Sequence, residues 1–192
     1  VCNAVYVADI YMQNTPQITT ANAMLTWQNE KGKTTKQDLR ITVYEWQNKE
    51  KIVYSKEIKG VSLNKGMNEL KIPISAPEAK LWSVDDPNLY VCEVELSEGK
   101  NWVDKDSRRF GFRWFEASGI GEDAVFRLNG KRIMLRSAIS WSFWPVNGIF
   151  PSEELAERQI RIAKELGLNM LNFHRFIGNT DVMNYADELG LL

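Results

Sequence analysis

The sequence predicts an all-β immunoglobulin-like sandwich followed by an α/β segment, and three observations carry that prediction. Through residues 1–116, apolar and polar residues alternate in short runs separated by polar turns, the period-two signature of half-buried strands. Beyond residue 117 a helical period takes over, at Ser152–Leu166 and again after Asn179. Both helices stop at the same four residue types, Glu165-Leu166-Gly167-Leu168 and Glu188-Leu189-Gly190-Leu191, and each stop leads into apolar sequence. Repeated strand–helix units of this kind build parallel sheets and (β/α)8 barrels, whose chemistry sits in the loops after the strands. The expected organisation is therefore a sandwich over 1–116. The N-terminal portion of a barrel follows over 117–192, comprising a hairpin, two βα units and the start of a third strand.

In the sandwich, Val5–Ile10 begins the first strand. Ala21, Ala23, Leu25 and Trp27 share one face of the second, and Leu39, Ile41 and Val43 one face of the third. Lys51–Ile58 is amphipathic and charged, as suits an edge strand. Met67–Ile74 turns Leu70, Ile72 and Ile74 inward, and Pro73 marks an edge position or the end of pairing. Leu81–Tyr90 is a corner with Asp86-Pro87-Asn88 as its turn chemistry. It feeds a strand over Tyr90–Leu96, and a last strand is expected to reach Phe115. About seven strands in about 110 residues fit an immunoglobulin-like sandwich.

Ala117–Asp123 is small and polar and reads as a linker. Asn129-Gly130 favours a type I′ hairpin between two short strands. Met134–Trp141 reads as the first apolar strand of the α/β segment, and Trp141–Gly148 as the loop after it. Ser152 is a suitable N-cap, and Glu153 and Glu154 complement the helix dipole. Leu155, Ile162 and Leu166, with Ala156 and Ala163, are expected to form one apolar stripe lying on a sheet. Gly167 suits the left-handed position after the helix. Asn169–Phe173 reads as a buried strand, followed by His174-Arg175. Asn179 or Thr180 caps the second helix, and Gly190 ends it.

Composition narrows the function classes. A net charge of −1 over 192 residues gives no basic field for nucleic acid. No apolar run approaches the ~20 residues of a membrane-spanning helix, so no membrane partner is expected. Neither a cofactor nor a metal is expected. Two cysteines are too few for a disulfide framework, and the sequence leaves Cys92 as a buried thiol or as a partner of Cys2. The seven tryptophans serve sugar stacking or sandwich cores. Val1-Cys2-Asn3 and the stop inside an apolar run read as internal cuts.

The strand ends of the α/β segment offer Ser140, Trp141, His174 and Arg175, and no carboxylate. His174, the one histidine of the chain, reads as a structural residue or as a substrate contact. Arg175 reads as a second contact or as an ion-pair partner. Trp141 and Trp144 read as a sugar-stacking wall or as packing of the first loop.

Five motifs, in order, resemble glycoside hydrolase family 2, which includes β-galactosidases, β-glucuronidases and β-mannosidases. They are Leu81-Trp82…Asp86-Pro87-Asn88-Leu89-Tyr90, Phe110-Gly111-Phe112-Arg113, Phe126–Lys131 with Leu135-Arg136, Glu165–Asn169 with His174, and Asp187–Leu191. The resemblance spans residues 81–192. It implies an immunoglobulin-like sandwich and the opening of a TIM barrel, a carbohydrate substrate, and a retaining, exo-acting β-glycosidase as the parent. The family's acid/base and nucleophile are glutamates on later barrel strands, so no catalytic residue is expected in this chain, and the chain alone is expected to be inactive. The family often carries Ser-His-Tyr-Pro where this chain has Phe173-His174-Arg175-Phe176, so only the histidine matches. After Leu135-Arg136 the family often has a glycine and then Asn-x-His, whereas this chain has Ser137-Ala138-Ile139-Ser140-Trp141, which departs from a galactosidase-type site. A polysaccharide-degrading parent favours the periplasm or the extracellular space. Unpaired barrel edges predict self-association through the C-terminal part, or disorder there. The alternative reading is a non-catalytic carbohydrate-binding or adhesive sandwich module.

Overall fold

The computed structural model describes residues 4–99, 101–175 and 177–192. They divide into two compact units, Val1–Lys80 with Leu89–Phe112, and Leu81–Asn88 with Arg113–Leu192.

The first unit is a sandwich of seven strands: β1 (Val5–Asn14), β2 (Thr20–Asn29), β3 (Thr35–Glu45), β4 (Asn48–Leu63), β5 (Gly66–Ser75), β6 (Tyr90–Glu98) and β7 (Asn101–Phe110). One sheet has the order β1-β2-β5 and the other β4-β3-β6-β7, with antiparallel neighbours throughout. Alternation sends Ala21, Ala23, Leu25 and Trp27 inward from the first sheet, and Leu39, Ile41, Val43, Cys92, Val94 and Leu96 from the second. The charged strand β4 and the Pro73-bearing strand β5 both lie at sheet edges, where a missing or unpaired N–H is tolerated. Cys92 is a free, buried thiol, and burial pushes its pKa up to about 12. Cys2 lies outside the described residues.

The last strand ends at Phe110, five residues short of the expected Phe115. Phe110 and Phe112 turn back on Tyr90, with ring centroids 6.4 and 5.3 Å away, and this aromatic cluster replaces further pairing. One carboxylate is buried in the sandwich. Glu93, 7% exposed, receives hydrogen bonds from Lys49 (2.9 Å) and the Tyr44 hydroxyl (3.3 Å) and pairs with Lys105 (2.8 Å). Burial resists its ionisation, but the hydrogen bonds and charges of Lys105 and Lys49 outweigh burial and hold the carboxyl below its ordinary range.

The second unit begins its own pairing at β8 (Phe115–Ser118), which joins β9 (Val125–Leu128) and β10 (Lys131–Ile133) in the order β10-β9-β8. The expected linker is thus partly a strand, because Ala117 and Ser118 find partners in Phe126 and Val125; a 3-10 turn at Gly121–Asp123 follows. The Asn129-Gly130 turn has both φ angles positive, 53° and 76°, as a type I′ hairpin requires. Next come β11 (Ser137–Ser140), α1 (Glu153–Glu165), β12 (Met170–Phe173) and α2 (Thr180–Leu189). Ser152 caps α1 by accepting from the Leu155 N–H, and Asn179 caps α2 by accepting from Asp181.

The buried face of α1 is Ala156, Ile160 and Ala163, packed with Val182, Ala186 and Leu191. The expected stripe is corrected: Ile162 and Leu166 are 42% and 73% exposed. They lie about 100° around the helix from the face that α2 covers, which follows from 3.6 residues per turn.

Leu81–Asn88 is held to this unit by a polar network around one buried indole. Trp82 is fully buried and donates Nε1–H to the Asp187 carbonyl at 2.7 Å. The Arg113 guanidinium lies 4.4 Å over its ring and bonds the Asp187 carboxylate at 2.6 Å. Asn129 donates to the Trp82 carbonyl and accepts from Trp114 N–H, both at 2.9 Å. Lys164 reaches from α1 to the carbonyls of Val84 and Gly190. Gly190 ends α2 at φ 78°, and a Cβ there would lie 2.4 Å from the Val84 oxygen.

Two predictions follow from these contacts. Gly190→Ala should cost about 1–3 kcal/mol from left-handed backbone alone, and more through the Val84 clash. Gly167→Ala, also left-handed but with open space around it, should lower the urea midpoint less. For Glu93, the folded pKa lies below the unfolded one, so its contribution is complete above the ordinary carboxylate pKa and is lost as pH falls through the folded value. The urea midpoint of the wild type should fall on acidification from roughly pH 5 to pH 3. Glu93→Gln should be less stable at neutral pH and show a shallower fall.

Candidate functional site

The parallel pair β11–β12 builds the site. Ser137 lies opposite Met170 and Ser140 opposite Phe173, with α1 as the crossover between the strands. The first strand is four residues long, shorter than the expected Met134–Trp141, because Asn169 occupies its entrance. The buried Asn169 side chain accepts from Arg136 N–H at 2.8 Å and donates to the Met134 carbonyl at 2.9 Å. Those two groups bond a side chain, while the Arg136 carbonyl accepts from the Asn169 N–H at 3.0 Å. On the other side of β12, Leu192 N–H donates to the Asn169 carbonyl, and the Leu192 carbonyl accepts from Leu171 N–H. That is the hydrogen-bond pattern of a third parallel strand.

At the C-terminal edge, His174 N–H donates to the Ser140 carbonyl at 2.9 Å and extends the ladder by one rung. Just beyond, the Trp141 indole and His174 imidazole lie 4.2 Å apart at 49°. Trp141 is 68% exposed, so this pair presents an aromatic surface to solvent. Arg175 follows at φ 54°, a left-handed conformation uncommon for arginine, with its side chain exposed. Trp144 behaves differently. It exchanges two 2.8 Å backbone hydrogen bonds with Gly148, and its half-buried ring packs on the α1–α2 core. Of the four candidates, the structure brings Trp141 and His174 together, sets Arg175 beside them, and gives Trp144 to the loop's footing.

Sequence reasoning named Ser140 at its strand end but missed the two polar partners behind the pair, Ser142 and Gln159. Ser140 is 6% exposed, and its Oγ accepts from Gln159 Nε2 (2.9 Å) and from Ser142 N–H (3.2 Å). A serine at a strand end and a glutamine on an amphipathic helix leave no periodic mark, so only their meeting reveals them. Chemically, an exposed aromatic face beside an imidazole suits a pyranose ring, with C–H groups on the indole and a hydroxyl on the ring nitrogen. Among the described residues no three His, Cys, Asp or Glu side chains group as metal ligands. A separate apolar cleft of about 450 Å³ is lined by Phe115, Phe126, Leu135, Met170, Phe173 and Met183.

Two solved structures that share this fold are a glycosyl hydrolase family 2 member and a β-glucuronidase. A family 2 member from Bacteroides cellulosilyticus superposes over 99% of this chain and 24% of its own, with TM-score 0.86 and 25% identity. The β-glucuronidase of Parabacteroides merdae superposes over 98% of this chain and 23% of its own, with TM-score 0.77 and 27% identity. The chain belongs to the glycosyl hydrolases family 2, whose family model matches residues 5–113. A putative β-glucuronidase of Formosa agariphila is 34% identical over 113 residues, 59% of this chain and 13% of the relative. A β-galactosidase of Thermoanaerobacterium thermosulfurigenes is 33% identical over 116 residues, 60% of this chain and 16% of the relative. The matched stretch thus spans about one-seventh of the length of these curated relatives.

Asn169→Leu should uncouple the two strand entrances, because the Arg136 N–H and Met134 carbonyl lose their partner. The expected loss is roughly 2 kcal/mol or more by urea denaturation.

Proposed function

We propose that this chain forms the immunoglobulin-like sandwich and the opening two βα units of the TIM barrel of a retaining, exo-acting β-glycosidase. The observation that carries the reading is the parallel pairing of β11, β12 and Leu192, with Trp141 and His174 at its C-terminal end. TIM-barrel chemistry gathers at that end of the strands. Membership of family 2 supports the glycosidase class. The apolar cleft beside Met170 and Phe173 supports further strands packing there. Retaining hydrolysis needs two carboxyl groups about 5–5.5 Å apart, and the strand ends described here carry Ser140, Trp141, His174 and Arg175 instead. The acid/base and the nucleophile come from barrel strands outside these residues. The role of this chain is to hold one wall of the sugar site, with Trp141 under the pyranose and His174 and Arg175 at its hydroxyl or carboxylate groups.

The 192-residue chain should show no turnover of aryl β-glucuronides or aryl β-galactosides above blank; clear turnover overturns the division of labour proposed here. The exposed Ile139, Phe143, Phe150 and Leu166 further support self-association, which concentration-dependent light scattering tests.

A second reading, a carbohydrate-binding module, is favoured by one observation on the sandwich. Trp102 is 51% exposed beside a polar cleft lined by Asp38, Arg40, Glu57 and Lys59, with the Arg40 guanidinium 4.4 Å over its ring. Calorimetric titration with monosaccharides and oligosaccharides separates the two. Tight, saturable binding abolished by Trp102→Ala but not by Trp141→Ala establishes the module.

A further inference from the structure

Ser140, Ser142 and Gln159 form a buried polar knot whose placement behind the exposed pair calls for an account. Ser142 is 2% exposed and sits at φ 51°, a left-handed conformation that a non-glycine residue holds only when its surroundings enforce it. Its N–H is tied to Ser140 Oγ, which in turn is tied to Gln159 on α1. Trp141 lies between Ser140 and Ser142, so the same knot that bends the backbone at Ser142 fixes the direction in which the indole leaves the strand. The other end of the pair is set from the same residue, since the Ser140 carbonyl receives the His174 N–H. Ser142 Oγ and Gln159 Oε1 are both buried without a hydrogen-bond partner among the described residues. Unpartnered buried polar atoms oppose folding.

We propose that Gln159 is a positioning residue. Through Ser140 and Ser142 it holds the Trp141 indole against His174, so that the stacking face and the imidazole meet a sugar as one preformed surface. The proposal deepens the sugar-wall reading and rests on it for its purpose. Preorganisation of this kind raises affinity by removing the ordering cost at binding. The tie also couples the helix α1 to the strand end, so a shift of α1 is transmitted to the aromatic surface.

The test uses the intact chain with no sugar present. His174 is the only histidine, so its two carbon-bound ring protons are unambiguous in an NMR spectrum. A tryptophan ring 4.2 Å away displaces them by its ring current. At one fixed pH for all variants, Trp141→Ala defines the signal positions of an unstacked His174. Gln159→Leu should move the signals most of the way to those positions while circular dichroism stays unchanged. Ser140→Ala deletes the shared oxygen without touching α1, and should do the same. Unmoved His174 signals in either folded variant overturn the proposal, as does failure of both variants to fold, which would make the knot purely structural. If the signals move as expected but Trp141→Ala leaves sugar binding by the parent enzyme intact, the positioning role stands and the sugar-wall reading fails.

Discussion

The second unit depends on the contact of one buried tryptophan with one aspartate and one arginine. Trp82 has an indole N–H that is costly to leave unpaired in the interior, and the Asp187 carbonyl at the C-terminal end of α2 takes it. The same aspartate's carboxylate holds Arg113, whose guanidinium lies 4.4 Å over the indole. A planar guanidinium can stack and bond at once, which a lysine cannot do. Around this centre the corner Leu81–Asn88, the Asn129-Gly130 turn and the ends of α1 and α2 are drawn into one set of satisfied backbone groups. The resemblance to family 2 rests largely on these residues. Each of them is the hydrogen-bond partner or steric allowance of another. Gly190 is a glycine because Val84 leaves no room for a Cβ and because α2 ends in the left-handed region.

That anchorage leaves the strand ends free for chemistry. β11 and β12 are short, and their register is set from the buried entrance by Asn169 rather than by ladder length. Their exits carry the strained or polar residues: Ser140, the left-handed Ser142 and the left-handed Arg175. Stability and surface chemistry are thus separated along one strand direction, with the satisfied amide at one end and the exposed aromatic pair at the other. The sandwich shows the complementary arrangement. Its one buried carboxylate, Glu93, is fully engaged by Lys49, Lys105 and Tyr44, so the charge there serves folding.

Where the structure departs from the sequence reading, the cause is tertiary. The polar run Ala117–Asp123 has the composition of a linker, yet Ala117 and Ser118 become a strand because the hairpin offers an edge. The last sandwich strand stops at Phe110 because the aromatic cluster with Tyr90 and Phe112 turns the chain. The helix α1 carries two apolar stripes of similar strength, and periodicity alone gave no means of telling which one α2 would cover. The alanine-rich stripe is the one buried, since small side chains let two helices approach closely. Trp144 and Trp141 look alike in the sequence, three residues apart in one loop. One supports that loop against the core and the other faces solvent, and the difference arises from the Trp144–Gly148 bridge.

By itself the sequence determined the seven-strand sandwich, the hairpin turn, the helix caps and the strand–helix order, because alternation, glycine placement and capping are local and act within a few residues. It also determined family membership and marked His174 and Trp141, since their types and their places after apolar strands are visible along the chain. Only the tertiary structure decided that the corner Leu81–Asn88 joins the second unit, that Asn169 sets the strand register, and that Gln159 reaches Ser140 behind the aromatic pair. Those contacts join residues far apart in sequence through single hydrogen bonds, and a single hydrogen bond leaves no periodic trace in the order of the residues that make it.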